Sequence, residues 1–193
     1  MTLNRLPVFF LALLVASAVW PAPAPTFKAG EFSPPRDAPE IALRGSNGSE
    51  LKLTRYRGKV VLMAFGFTHC AEVCSVTLAT LAQVRKKLGA EANELQVVYV
   101  TVDPERDSAE RMRTYLANFD GSFIGGTGAP EQLAAVRKDY GIAARKVPMT
   151  GGYAIDHSSS VYLIDRGGKL RALMPYGHNA DDYVHDVRVL FRQ

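Results

Sequence analysis

The feature that most constrains the fold is a repeated alternation of apolar strands and amphipathic helices. The run KVVLMAFGF, residues 59–67, is apolar throughout after its first residue, which is typical of a central strand buried on both faces of a sheet. SVTLATLAQVRKKLG, residues 75–89, has helical spacing and ends in basic residues and a glycine. A second buried strand, LQVVYVTVD at residues 95–103, follows it. This alternation predicts a three-layer α/β domain around a central mixed sheet.

The remaining segments extend this pattern without indicating a second domain. Helices are predicted over residues 109–119, 130–141 and 180–191. A C-terminal hairpin is predicted over residues 158–177, with its turn at Arg166-Gly167-Gly168. An additional N-terminal hairpin is predicted around Asn47-Gly48, because Asn-Gly between alternating segments favours a tight turn.

The N-terminal segment predicts export. Residues 1–24 contain Arg5 followed by an uncharged apolar stretch that ends at Trp20, as in a signal peptide or a membrane anchor. Residues 25–39 are rich in proline and are interpreted as an extended tether between membrane and domain. The folded domain is expected over residues 40–193, outside the cytosol.

The charge of the chain argues against one class of partner. The net charge of +4 at pH 7 is mildly basic, but the lysines and arginines form no long block and no stripe with interleaved aromatic residues. Nucleic acid is therefore not an expected partner.

Cys70 and Cys74 are the only cysteines, and they directly follow the first buried strand. Open α/β sheets place ligands at the carboxyl ends of such strands, and a helix that begins nearby favours thiolate over thiol. A disulfide between them would close only a five-residue ring, and the stabilisation from so short a loop is small. The pair is interpreted as a metal clamp, a redox couple or both.

Two thiolates rarely make a complete metal site, so the histidines are candidate third ligands. His157 is predicted to lie in a loop just before a strand, from which it could reach the cysteines. His69 adjoins Cys70 but is expected to point elsewhere. Two thiolates and one imidazole suit Cu(I) and accommodate Cu(II), and zinc with an added water is another possibility. The other two histidines lie near the C-terminus among three aspartates, and this cluster is interpreted as a solvated helix face. Its members are His178, His185, Asp181, Asp182 and Asp186.

Three segments together resemble the Sco/SenC family in their order and separation. They are GFTHCAEVC at residues 66–74, VTVDPERDS at residues 100–108 and DHSSSVYLIDRGGKL at residues 156–170. The resemblance runs from about residue 40 to about residue 190. It implies a thioredoxin-like domain that is tethered to a membrane and faces the periplasm or the mitochondrial intermembrane space.

The same resemblance implies copper binding by Cys70, Cys74 and His157, with Asp103 near the site. It implies a metallochaperone, rather than an enzyme, that delivers or prepares copper for the binuclear copper site of cytochrome c oxidase. The implied partners are the oxidase subunit with that site, a copper donor protein and a thiol reductant. The implied location is the periplasmic side of the inner membrane, which the N-terminus would contact.

One departure from the family pattern concerns the residue after each cysteine, which is usually proline and is here Ala71 or Ser75. Neither position is a ligand, but the change could alter the redox potential of the pair. The alternative function is a thiol:disulfide reductase that uses Cys70 and Cys74 on cysteines of the oxidase or of other exported proteins. A peroxiredoxin is not indicated, because Thr68 is two rather than three residues before Cys70.

Overall fold

The structure, a computed structural model, describes residues 26–70 and 72–193. The predicted signal or anchor segment at residues 1–24 and the departure at Ala71 lie outside the described residues. The described part contains ten strands: β1 (Gly30–Asp37), β2 (Ala42–Gly45), β3 (Glu50–Lys52), β4 (Val60–Gly66), β5 (Leu95–Thr101), β6 (Ile124–Thr127), β7 (Ala144–Met149), β8 (Gly152–His157), β9 (Val161–Ile164) and β10 (Lys169–Met174). Its four α-helices are α1 (Val73–Leu88), α2 (Ala109–Ala117), α3 (Pro130–Tyr140) and α4 (Ala180–Phe191).

Eight of these strands form one mixed sheet in the order β1-β10-β9-β4-β5-β6-β2-β3. Strands β4, β5 and β6 run parallel, and β9 pairs antiparallel with β4. Helices cover both faces: the ring of Phe65 packs 5.7 Å from that of Tyr140 in α3, whereas the neighbouring Gly66 faces Cys74 of α1. The predicted three-layer α/β domain with a mixed sheet is therefore confirmed.

The strand that leads to the cysteines is buried along its whole length. All seven residues of β4 are buried, because β5 and β9 flank it and helices cover its two faces. Helix α1 buries one stripe of side chains towards the sheet: Cys74, Leu78, Leu81, Val84 and Leu88. This helix begins at Val73, two residues before the predicted start, and so places Cys74 in its first turn.

Both predicted hairpins are present. Leu43 of β2 pairs with Leu51 of β3, and the turn between these strands contains Gly48 with a φ of 83°. In the C-terminal hairpin, the backbone N–H of Asp165 donates to the carbonyl of Lys169 at 2.9 Å, and Gly168 has a φ of 76°. Glycine accommodates these left-handed conformations without steric strain.

The prediction of an extended tether over residues 25–39 is wrong for residues 30–37. Residues 30–37 form β1, which pairs antiparallel with β10 at the edge of the sheet. Both prolines of this strand lie where its register shifts, between Glu31 and Arg36, and an edge strand tolerates proline there because fewer ladder hydrogen bonds are required. The folded part therefore begins before residue 40.

A second, two-stranded sheet was not anticipated. Strands β7 and β8 pair with each other over their whole length, from Ala144 with His157 to Met149 with Gly152. We call this unit, residues 144–157, the ribbon. His157 is its last residue, so the prediction of a loop position for this histidine is wrong. No helix among residues 26–70 and 72–193 is long and apolar enough to cross a membrane.

Candidate metal centre

Cys70, Cys74 and His157 meet at one point of the molecule. Their sulfur and imidazole nitrogen atoms all lie within 4.8 Å of one another. Cys70 is in the loop after β4, Cys74 is in the first turn of α1, and His157 ends the ribbon. Three separate elements thus bring together residues that are up to 87 positions apart in the sequence. Within the described residues, this is the one group of three or more such side chains whose ligand atoms lie this close together.

The two cysteines differ in their surroundings. Both are free thiols, and Cys70 is half-buried, whereas Cys74 is only 3% exposed. Burial raises the pKa of the Cys74 thiol from 9.0 to about 12, a change equivalent to about 4 kcal/mol. A helix N-terminus typically offers an anion only about 0.3 to 1 kcal/mol. The expectation that the helix would favour thiolate is thus outweighed at Cys74, which is a thiol in the metal-free protein.

The imidazole of His157 is oriented by its own backbone neighbour. Its Nδ1 lies 2.8 Å from the carbonyl oxygen of Ser158, and because a carbonyl only accepts hydrogen bonds, Nδ1 carries the proton. The lone pair is then on Nε2, which lies 3.6 Å from the Cys74 sulfur. The ring of Phe67 meets the imidazole edge-on, with a centroid separation of 5.8 Å. The nitrogen that could bind a metal therefore faces the cysteines.

Asp103 supplies no ligand atom to the cluster and is connected to it through the ribbon. Its carboxylate is 1% exposed, pairs with the guanidinium of Arg106 and accepts a 2.8 Å hydrogen bond from the hydroxyl of Tyr153 in the ribbon. Arg106 also donates to the carbonyl of Tyr153 at 3.0 Å and lies 3.8 Å above its ring. Asp103 thus connects the loop after β5 to the ribbon, which contains His157. Tyr153 was not singled out from the sequence.

Asp107 holds the loop before Cys70 in place through hydrogen bonds. This fully buried carboxylate accepts hydrogen bonds from the backbone N–H of Thr68 at 3.0 Å, from the Thr68 hydroxyl at 2.6 Å and from the Thr101 hydroxyl at 2.7 Å. The N-cap of α2 is Ser108, which accepts from the backbone N–H of Arg111 at 3.1 Å. Asp107 is therefore part of the support of the loop before Cys70.

The sequence matches the SCO1/SenC family over residues 35–192. This range includes all three residues of the cluster and nearly the whole described sheet. The chain belongs to the SCO1/SenC family.

Individual relatives agree with this membership. The mitochondrial SCO2 homologue of Mus musculus is 36% identical over 137 residues, which are 69% of this chain and 54% of that protein. The structure of Bradyrhizobium japonicum ScoI with copper bound superposes with a TM-score of 0.74 at 31% identity, covering 80% of this chain and 99% of ScoI. Apo Sco1 from Thermus thermophilus has a TM-score of 0.76 at 32% identity, with coverages of 86% and 97%. The aligned region spans about half the length of the mouse protein.

The other histidines of this SCO1/SenC chain lie apart from the cluster. His69 is exposed, with its Nδ1 3.3 Å from the Thr68 hydroxyl, and His178 bonds to Asp182 at 3.1 Å. His185 bonds to Asp186 at 2.9 Å.

The expected solvated helix face is wrong for Asp186, which is fully buried. Its carboxylate accepts the backbone N–H groups of Lys28 at 2.7 Å and Ala29 at 2.9 Å. The sequence of α4 gives no indication of this role, because the two N–H donors lie more than 150 residues away in the sequence.

Proposed function

We propose that this chain binds one copper ion through Cys70, Cys74 and His157 and acts as a metallochaperone in the assembly of cytochrome c oxidase. The observation that carries the proposal is the cluster itself, whose three ligand atoms lie within 4.8 Å of one another. With metal–sulfur and metal–nitrogen bonds of about 2 Å, a single ion can bridge such a group. Membership of the SCO1/SenC family and the likeness to copper-bound ScoI support copper as that ion.

The donor set fits copper on chemical grounds. Two thiolates and an imidazole are soft and borderline ligands, which select Cu(I) or accommodate Cu(II). Magnesium and calcium prefer oxygen ligands, and no carboxylate joins the cluster among the described residues. Three protein ligands leave a coordination position through which a thiolate or imidazole of an acceptor can enter. Copper would then pass by ligand exchange without release into water.

The acceptor in this proposal is the oxidase subunit that carries the binuclear copper site. A separate copper donor would load the chain, and a thiol reductant would keep the pair reduced, because a disulfide offers no thiolate to a metal. Copper loading and transfer would take place on the periplasmic side of the inner membrane, with residues 1–24 serving as an anchor or as a cleaved signal.

An anaerobic Cu(I) titration of the reduced full-length chain, in competition with a chelator, tests the proposal. We expect one tightly held copper per chain. A variant with Cys70→Ser and Cys74→Ser together should lose it, because hydroxyls are poor ligands for a soft ion. Ser75→Ala is the matched control, since it removes only a hydroxyl that donates to the Glu72 carbonyl. Tight binding of one copper by the double-serine variant would rule out this ligand set.

The same pair of thiols favours a second candidate, a thiol:disulfide reductase. Cys70 is accessible enough to attack a target disulfide, and the buried Cys74 lies within reach to displace the product. In that reaction the two thiols would lose two electrons and two protons, which the target disulfide would gain.

A trapping experiment separates this candidate from the first. Cys74→Ser should accumulate a mixed disulfide between Cys70 and a model peptide disulfide, detectable by mass spectrometry, because the displacing thiol is missing. Wild-type protein should reduce the same peptide stoichiometrically. If the wild type leaves the peptide oxidised and the variant traps nothing, the reductase candidate is excluded.

A further inference from the structure

Tyr99 has a buried hydroxyl that makes no hydrogen bond of normal geometry. The side chain lies in β5 and is 1% exposed, and among residues 26–70 and 72–193 its oxygen has no partner at the usual distance and angle, although the Cys74 sulfur lies close enough to interact with it. Most buried polar groups are paired, because an unpaired one loses its hydrogen bonds to water without replacement. Phenylalanine would fill the same space without this cost. The position of the hydroxyl therefore calls for an explanation.

The hydroxyl points at the candidate metal centre. Tyr99 and Ala64 are partners in the parallel pair of β5 and β4, so the tyrosine lies next to the strand that leads to Cys70. A Cβ atom placed on Gly66 would be 2.1 Å from the Tyr99 oxygen and 2.8 Å from the Cys74 sulfur. Both atoms thus border the space that the glycine leaves free. Tyr99 also lines a small cavity together with Cys74 and His157.

We propose that Tyr99 is a positioning residue that donates a hydrogen bond to the Cys74 sulfur when this sulfur is a thiolate bound to copper. The inference rests on the proposed function, because it assigns a role to a residue that acts through one of the proposed ligands. Gly66 makes the contact possible by bringing no side chain between the two groups.

The change in the sulfur on metal binding explains why the hydroxyl makes no well-formed hydrogen bond beforehand. A neutral thiol is a weak acceptor, whereas a metal-bound cysteine sulfur is a thiolate. When copper binds, the Cys74 proton leaves to solvent and the sulfur becomes anionic, and hydrogen bonds to charged acceptors are roughly twice as strong as neutral ones. A tyrosine hydroxyl has an ordinary pKa of about 10, so at neutral pH it keeps the proton that it donates.

A donor at a ligating sulfur distinguishes the two oxidation states of copper. The thiolate keeps more of its negative charge when it binds Cu(I) than when it binds Cu(II), to which it gives more electron density. A hydrogen bond to the sulfur therefore stabilises the Cu(I) form more, and bonding of this kind tunes the potential of copper–thiolate sites. Tyr99 should raise both the Cu(I) affinity and the Cu(II)/Cu(I) potential.

Tyr99→Phe in the full-length chain tests the inference. We expect Cu(I) affinity to fall about 10-fold to 100-fold, the range typical of lost outer-shell partners of metal ligands. The Cu(II)/Cu(I) potential should fall as well, and the sulfur-to-Cu(II) charge-transfer band should move to lower energy. The reduced, metal-free variant should unfold at the same temperature as the wild type or higher, because only an unpaired hydroxyl is removed. A purely structural role would change stability and leave the potential and the band alone.

Tyr140→Phe is the matched control. Its hydroxyl is paired, donating to the Pro39 carbonyl at 2.6 Å, so this variant should lose thermal stability and keep its copper affinity and potential. If wild type binds copper and Tyr99→Phe has the same affinity, potential and band, the inference on Tyr99 is overturned and the proposed function stands. If the wild type itself holds no copper, the proposed function fails and the inference fails with it.

Discussion

Cys74 determines how copper binding should respond to pH. Its thiol has a pKa of about 12 because of burial, so copper must displace a proton from it at every pH up to that value. Raising the pH lowers the concentration of competing protons and so strengthens binding. We expect the apparent Cu(I) affinity to rise about tenfold per pH unit between pH 6 and pH 8 from this residue alone. Chelator competition at several pH values measures the slope, and a flat profile would contradict the assignment of Cys74 as a ligand.

His157 should matter more to Cu(II) than to Cu(I). Imidazole suits the harder ion, whereas two thiolates already satisfy much of the preference of Cu(I). For His157→Ala, we expect the Cu(II) affinity to fall by more than the roughly 100-fold that outer-shell changes reach, with a smaller loss for Cu(I). His69→Ala is the control, because that imidazole adjoins Cys70 in sequence but lies outside the cluster. If His157→Ala lowered the Cu(I) and Cu(II) affinities by the same factor, the greater importance of His157 for Cu(II) would be refuted.

The ribbon is the element on which the geometry of the histidine depends. Its strands are exposed or half-buried along most of their length, so apolar burial contributes little to its position. Tyr153 attaches it to the loop after β5, because its hydroxyl donates to Asp103 and its carbonyl accepts a hydrogen bond from Arg106. Each bond involves a charged group and is worth about 1.5 to 3 kcal/mol. The element therefore depends largely on a few polar contacts for its position, with Ile155 as its one residue in the core.

Tyr153→Phe tests this attachment. The change removes the hydroxyl that donates to the buried Asp103 at 2.8 Å and keeps the ring under Arg106. We expect faster hydrogen exchange in residues 144–157 and a Cu(II) affinity about tenfold lower, as for other changes behind a ligand. Arg145→Ala is the control on the same ribbon, since its pair with Asp156 is exposed on both sides and worth little. Unchanged exchange in Tyr153→Phe would show that other contacts hold the ribbon.

The elements differ in how far the sequence could predict them. Strand β4 and helix α1 bury continuous or periodic apolar residues, so local patterns reveal them and place the two cysteines near their junction, although α1 begins two residues before the predicted start and includes Cys74. The ribbon has no such pattern, because its strands face solvent and contain Pro148. Its main attachment spans 50 residues of sequence, which periodicity cannot detect. The resemblance to known motifs identified His157, whereas its strand position became visible only in three dimensions.

At the scale of the whole molecule, the N-terminal edge was the part predicted least well. Nearly all residues of β1 are exposed, and its proline content is typical of a linker. Pairing with β10 connects this strand to residues more than 130 positions away, and Asp186 binds the backbone just before it. Neither contact produces a pattern in the neighbouring residues of the sequence. The sequence therefore predicted the core domain, whereas the extent of the domain depends on long-range hydrogen bonds.

Asp186→Asn should weaken the whole fold. The buried carboxylate accepts the N–H groups of Lys28 and Ala29, and an amide has one acceptor oxygen, so at least one donor would face an NH2 group. We expect a loss of about 1 to 3 kcal/mol in the free energy of unfolding, measured by urea denaturation of the reduced protein. Copper stoichiometry should be unchanged, because α4 supplies no residue to the cluster.

Asp181→Asn, on the same helix, is the control for that measurement. Its side chain is 76% exposed and pairs with Lys87, and an exposed pair of this kind contributes about 0 to 1 kcal/mol. A chain shortened to begin at residue 30 should lose more stability than Asp186→Asn, since it removes both N–H donors together with the buried Ala29 and the partly buried Phe27. Adding Asp186→Asn to the shortened chain should then cost little further, because residues that share one interaction are not additive. Full additivity would mean that Asp186 stabilises the fold through something other than the N-terminal backbone.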